Sequence, residues 1–262
     1  MHARSPGSCK VSDVAHVLVI AGTDSSGGAG LVKDVQVITE LGARASCVVT
    51  AVTAQTNNCV AASSVLSPEL VSQQLRTALH SNDIRAIKIG MLGNGAIVRA
   101  VIEALPDRGR IPIVVDPVFR SSSGTALLDP ADVQLLRDQL LPRCTLMTPN
   151  LIEAGALLGR VVAGDSTEQT EQAEALLRFG SEGVLLKGGH GVGGESVDVL
   201  VTRTGPPLPL AAQRLDVTMR GTGCALSSAI AALMAAGEAM EPACRKAKAY
   251  VHDKLLVLKS QC

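Results

Sequence analysis

Short, uninterrupted apolar runs alternate along this chain with stretches whose apolar residues recur at i, i+3 and i+4. The runs predict strands over 16–21, 46–52, 60–66, 86–89, 111–116, 145–147, 184–187 and 197–202. The 3.6-residue spacing predicts helices over 31–41, 69–80, 96–105, 131–141, 151–158, 167–179, 224–236 and 242–258. Runs such as VLVIAG and IPIVVD are apolar on both faces, as expected of strands covered on both sides in a mostly parallel sheet. No Pro-, Gly- or Ser-rich linker divides the chain, and no repeat of solenoid length recurs. The pattern predicts one three-layer α/β domain over 16–262, a mostly parallel central sheet with helices on both faces, after a flexible polar segment over 1–15.

Polar and glycine residues collect where the predicted strands end: GTDSSGGAG from Gly22, TAQTNN from Thr53, DPVFRSSSG from Asp116, TPNLIE from Thr148 and KGGHGVGG from Lys187. Open α/β sheets bind ligands at the carboxyl ends of their strands, so these loops predict one shared pocket. Composition narrows what enters it. The 24 basic residues balance the 24 acidic ones, leaving no global field to gather nucleic acid or an anionic membrane. Phe119, Phe179 and Tyr250 are the only aromatics, too few for a base-stacking platform or an aromatic-anchored interface. The seven cysteines include no C-x-x-C, and the five histidines no H-x-x-x-H, so neither a disulfide framework nor a structural zinc site is expected. The cysteines read as mostly small buried residues of a reduced, cytoplasmic chain. The polar N-terminus has no apolar core of a signal peptide, and the apolar helix over 225–236 is too short to span a bilayer. A small molecule is the expected ligand, with no nucleic acid and no membrane as partner.

Two nucleotide motifs are excluded. The first loop has the G-x-x-x-x-G spacing of a P-loop, but Gly28 stands where its lysine belongs. A G-x-G-x-x-G is also absent, because Lys33 occupies the third glycine position. The loop over 220–224 is more informative. Arg220, Gly221, Thr222, Gly223 and Cys224 lead straight into the helical ALSSAIAALMAAG. Its glycines let a ligand approach the backbone, and the unpaired first-turn amides and helix dipole favour negative charge. This is an anion hole suited to phosphate oxygens. A cysteine in that first turn is expected to be reactive, its thiol drawn below the usual ~8.5.

Taken together, AGTDSSGGAG, Thr53-Ala54-Gln55, KIGML from Lys88, DPVFRSSSG, TPNLIEA, LLKGGHG and GTGC resemble, in order and separation over residues 17–250, the hydroxymethylpyrimidine/phosphomethylpyrimidine kinases of thiamine biosynthesis, in the ribokinase-like superfamily. Cys224 is the distinctive marker, since sugar kinases of the superfamily mostly place aspartate there. The resemblance implies ATP-dependent phosphorylation of 4-amino-5-hydroxymethyl-2-methylpyrimidine and, in bifunctional members, of its monophosphate to the diphosphate, with ATP and Mg2+ and as a homodimer. By position it implies Cys224 as acceptor of the hydroxyl proton, Gly221, Thr222 and Gly223 as the anion hole, and Lys187 as a cation for the phosphates. Asp116, Asn150 and Glu153 would serve nucleotide and magnesium, the metal being held through Glu153 and water. Gln55 offers one acceptor and two donors to an aminopyrimidine edge, Asp34 would lie beside the ring, and Gly22, Met91 and Val118 would wall it. Read singly, Asp34 is also a solvated helix charge, Met91 core filler and Glu153 an N-terminal helix charge.

The chain departs from the family's pattern in places. Ser122 replaces a lysine or threonine common there, with Arg120 nearby; Arg220 replaces a common histidine; and the first helix keeps only Asp34 of a Q-A-D triplet. Two alternatives stay open: a pyridoxal or pyridoxine kinase of relaxed specificity, and a non-catalytic pyrimidine-binding module. A redox sensor built on Cys224 is a third and weaker reading, with no resolving cysteine close in sequence.

Overall fold

The computed structural model describes residues 14–56, 59–120, 127–189 and 194–261. Among the described residues nine strands form one sheet: β1 (His16–Asp24), β2 (Arg44–Gln55), β3 (Val60–Val65), β4 (Ala86–Ile89), β5 (Ile113–Val115), β6 (Leu146–Met147), β7 (Gly183–Leu186), β8 (Glu195–Thr202) and β9 (Leu208–Gln213). Their order is β3-β2-β1-β4-β5-β6-β7-β8-β9. The six central strands from β2 to β7 run parallel, and antiparallel partners close both edges. The expected mostly parallel sheet is therefore present.

Eight α-helices among the described residues cover it: α1 (Gly30–Glu40), α2 (Pro68–Ser81), α3 (Gly95–Ala104), α4 (Pro130–Leu135), α5 (Leu151–Leu158), α6 (Ser166–Leu177), α7 (Thr222–Ala235) and α8 (Met240–Ser260). One core lies between the sheet and α2, α3, α5 and α6, joined by residues after α4; it includes Leu18, Ile20, Leu75, Ile97 and Leu176. The second lies between the other face and α1, α7 and α8 and includes Val17, Val19, Ile38, Ile230 and Cys244. Each fully buried Leu, Ile or Val contributes roughly 1.5–3 kcal/mol by leaving water. Helix starts follow local chemistry. Ser67 caps α2 ahead of Pro68, and Asp165 accepts from two first-turn amides of α6.

Three departures from the expected elements have a physical reason or bear on the site. The helix expected over 131–141 is α-helical only to Leu135, continues as a wider π turn over Leu136–Leu140 and tightens over Leu141–Arg143, where Pro142 has no amide to donate. Strand β9 is not among the expected elements; Pro206 and Pro207 precede it and Pro209 lies within it, and at the sheet edge a proline is tolerated. Strand β2 runs on to Gln55, carrying that residue to the strand's end. Residues 1–13 of the segment expected to be flexible lie outside the described residues, as do Ser122 and His190. Ala15, from the same segment, is buried, and its carbonyl accepts from Arg44 N–H. Cys144 and Cys244 are buried as expected, whereas Cys47 and Cys59 are exposed. No described helix is long and apolar enough to cross a membrane.

Candidate active site

The parallel strands deliver chemistry in sequence. Asp116 directly follows β5, Asn150 lies just past β6 and Lys187 directly follows β7, and Lys187 N–H donates to Pro149 O at 2.8 Å, extending the β6–β7 pairing by one step. Neighbouring strand ends thus place three polar residues side by side. Lys187 Nζ lies 2.7 Å from Asp116 Oδ1 and 3.9 Å from Glu153 Oε2. Burial alone would lower the lysine, but the Asp116 and Glu153 charges outweigh it and hold the ammonium above its usual range. Glu153 is pushed up to about 7, by burial above all, with Lys187 opposing.

The start of α7 meets this cluster. A methyl built on Gly223 would lie 3.1 Å from Lys187 Nζ and 3.5 Å from Asp116 Oδ2. Gly221 is left-handed at φ 71°, and a methyl there would strike the backbone carbonyl of Gly28 in the first loop. Gly221, Thr222 and Gly223 therefore present a bare helix start between the first loop and the lysine–carboxylate cluster. This is chemistry for a transferring phosphate: amides and a cation where negative charge collects.

Cys224 follows in the first turn and is partly exposed as a residue. Its thiol is pushed up to about 11 rather than drawn down, a reversal of the expectation. Burial is the main cause, with the Asp34 and Asp116 charges adding to it; the Lys88 ammonium and a hydrogen bond with the Gly30 backbone act the other way without prevailing.

Asn150 and Glu153 form a reciprocal capping box on α5. Asn150 Oδ1 accepts from Glu153 N–H at 2.8 Å, and Glu153 Oε2 accepts from Asn150 N–H at 2.7 Å. The local reading of Glu153 as an N-terminal helix charge is correct, and the same side chain also faces Lys187. Among the described residues no three His, Cys, Asp or Glu side chains form a metal cage. A buried carboxylate beside a second one fits a water-clad divalent ion that arrives on phosphate groups, which needs one or two protein carboxylates only.

On the opposite side, Gly22 and Met91 touch: a methyl on Gly22 would lie 2.9 Å from Met91 Sδ. Ser25 Oγ donates to Gln55 O at 2.9 Å and accepts from Gln55 N–H at 2.8 Å, pinning the end of β2 to the first loop. Thr53 Oγ donates to Thr23 O at 2.7 Å and lies 3.3 Å from Gln55 Oε1. Val118 is half-buried next to Phe119 after β5. Asp34 is fully enclosed, which rules out its reading as a solvated helix charge: Lys88 Nζ donates to its Oδ2 and Ser228 Oγ to its Oδ1, each at 2.8 Å. It sits beneath the site and ties α1 to β4 and α7. In the sequence, a lysine between isoleucines in an apolar strand is the sign that Lys88 needs a buried partner. Two others went unnoticed. Asp198 Oδ1 accepts from Gly188 N–H at 2.9 Å while Lys248 meets its other oxygen, and Gln169 donates to Leu186 O and Val197 O; together they hold the turn that carries Lys187.

A doubly covered sheet whose strand ends bring a lysine and two carboxylates to a glycine-lined helix start defines a ribokinase-like phosphotransferase. The chain belongs to the phosphomethylpyrimidine kinase family, whose model matches residues 24–259. It is 42% identical to the hydroxymethylpyrimidine/phosphomethylpyrimidine kinase of Rhizobium meliloti over 91% of this chain and 89% of that protein. It is also 42% identical to the enzyme of that name from Escherichia coli, over 83% and 82% respectively. Among solved structures, the phosphomethylpyrimidine kinase of Clostridium difficile superposes with a TM-score of 0.78 at 33% identity, covering 92% of this chain and 99% of that one. The pyridoxal kinase of Staphylococcus aureus, in complex with AMP-PCP and pyridoxal, superposes at 0.82 and 29% identity, over 91% and 86%.

Proposed function

We propose that this chain phosphorylates 4-amino-5-hydroxymethyl-2-methylpyrimidine with ATP, and then its monophosphate, as a single kinase domain over 16–262. The observation that carries the reading is how closely the Gly223 backbone faces the cluster, where a methyl on it would lie 3.1 Å from Lys187 Nζ and 3.5 Å from Asp116 Oδ2; this supports an anion hole set against a cation. The substrate hydroxyl oxygen bonds to the γ-phosphorus, the bond from that phosphorus to the β–γ bridging oxygen breaks, and ADP leaves. The hydroxyl proton passes to the Cys224 sulfur in its thiolate form. Amides of Gly221, Thr222 and Gly223 and the Lys187 ammonium stabilise the charge spread over the equatorial oxygens. Asp116 and Glu153 hold Lys187 in place and would hold a magnesium ion through its water shell, with Asn150 fixing the Glu153 side chain. When bound, that ion neutralises phosphate charge. Gln55 meets the aminopyrimidine edge, Gly22, Met91 and Val118 form its walls, and Asp34 supports the floor from below.

Pyridoxal or pyridoxine phosphorylation is the second reading, favoured by the superposition on the staphylococcal pyridoxal kinase. The higher identity to the pyrimidine kinases supports the first. ADP release with Mg-ATP, measured on hydroxymethylpyrimidine, its monophosphate, pyridoxal and pyridoxine, tests both; turnover of the vitamin B6 compounds alone would overturn the pyrimidine assignment. Assembly as a homodimer and a cytoplasmic location are part of the proposal, and light scattering of the purified chain tests the former.

A further inference from the structure

Arg220 departs from the family pattern, and it joins three separate pieces of the site. Its Nη2 lies 3.3 Å from Asp24 Oδ2 at the end of β1. Its Nη1 donates to Ser26 Oγ at 3.0 Å and to Thr56 O at 2.9 Å, just past β2. Ser26 Oγ in turn donates to Asp24 Oδ1 at 2.7 Å, so the acceptor is itself fixed. Both side chains of the ion pair are largely enclosed, 18% exposed for Arg220 and 3% for Asp24. One residue further on is Gly221, whose left-handed turn packs on Gly28. The guanidinium's planar fork suits this task, because it reaches a carboxylate, a hydroxyl and a carbonyl from one rigid group.

We propose that Arg220 is a positioning residue that straps Thr56, just past β2, to the loop before α7 and so fixes the distance between Gln55 and Gly221. The strap acts on Gln55 through its neighbour. Ser25 holds the Gln55 backbone from below, and Arg220 holds Thr56 O from the side of α7. Asp24, Ser26 and Thr56 all engage the guanidinium, so it braces the rim of the pocket from within the protein. The consequence for catalysis rests on the proposed role of Gln55 in binding the pyrimidine; the strap itself does not.

Arg220→Lys keeps the charge opposite Asp24 but cannot span Ser26 and Thr56 as well. The expected result is a KM for hydroxymethylpyrimidine raised about tenfold, the size of one lost charge-assisted hydrogen bond, with the KM for ATP within about twofold of wild type. Amide hydrogen exchange at Gln55 and Thr56 is expected to quicken by about tenfold or more, while exchange in the β4 and β5 core is unchanged. Arg220→Met should enlarge both effects, and if it fails to fold, the lysine variant decides. Pyrimidine KM and local exchange both within about twofold of wild type would overturn the strap, as would equal increases in the KM of both substrates with unchanged exchange. A wild-type protein inactive on hydroxymethylpyrimidine would overturn the functional reading, and the exchange measurement alone would then decide the strap.

Discussion

Gly223→Ala places one methyl group where the phosphoryl group is expected to pass. Gly223 lies in the first turn of α7 and, unlike Gly221, is not left-handed. Its new methyl would meet Lys187 Nζ at 3.1 Å and Asp116 Oδ2 at 3.5 Å, both side-chain ends. The fold therefore loses little, and alanine in a helix gains up to about 1 kcal/mol over glycine. The expected change in Tm is within about 3 °C, of either sign. Activity should behave differently. The methyl displaces the ammonium by a few tenths of an ångström and crowds the amides that receive developing charge, a loss comparable to removing one oxyanion donor, about 10²–10³ in kcat. ADP release at saturating ATP and pyrimidine, measured beside differential scanning calorimetry, separates the two effects. Gly221→Ala supplies the contrast: its φ of 71° and its backbone neighbour Gly28 should cost about 1–3 kcal/mol of stability. A kcat within threefold of wild type for Gly223→Ala would refute the assignment of this helix start as the anion hole.

Lys88→Met strands the Asp34 carboxylate in a dry interior and should destabilise the protein by about 3–5 kcal/mol in urea, whereas Lys88→Met with Asp34→Leu should recover most of that. Because the Cys224 thiol is pushed up to about 11, a thiolate acceptor makes kcat/KM rise with pH from 7 to 9 without a plateau, and Cys224→Ala should lower turnover at least tenfold and remove the slope; a plateau near neutrality in the parent protein would refute thiolate acceptance. Burial raises Glu153 from 4.5 to about 7, so the folded state keeps a proton that the unfolded chain releases, and stability falls as pH rises across that interval. Glu153→Gln, which can retain the capping box, should flatten that fall in a pH series of thermal melts while depressing activity. Gln55→Ala should raise the KM for the pyrimidine and leave that for ATP within about twofold; the reverse pattern would refute the placement of the ring.

The strand ends were legible because the parallel sheet writes itself as repeated apolar runs followed by polar residues. Asp116 and Lys187 stand out by that logic, and the 221–223 turn by its glycines just ahead of an apolar helix. Partnerships across the sheet could not. Asp34 and Ser228 are 194 residues apart, as are Ser26 and Arg220, and nothing in the local pattern couples them. The enclosed position of Asp34 follows from Lys88, which enters from a third element. The direction of the Cys224 shift was misjudged for a related reason: the helix start was visible in the sequence, whereas the depth of burial that outweighs it was not. Strand β9 was hidden by its prolines, which forbid a central strand but not an edge.

The packing of α7 has a mechanical consequence. Ala225, Ser227, Ser228, Ala229, Ala231 and Ala232 are all buried, so the helix is sunk into its surroundings by small side chains that leave no slack for sliding. The helix start proposed to receive the phosphate is thus a fixed wall of the site, and a guanidinium ties it to Thr56 at the far rim.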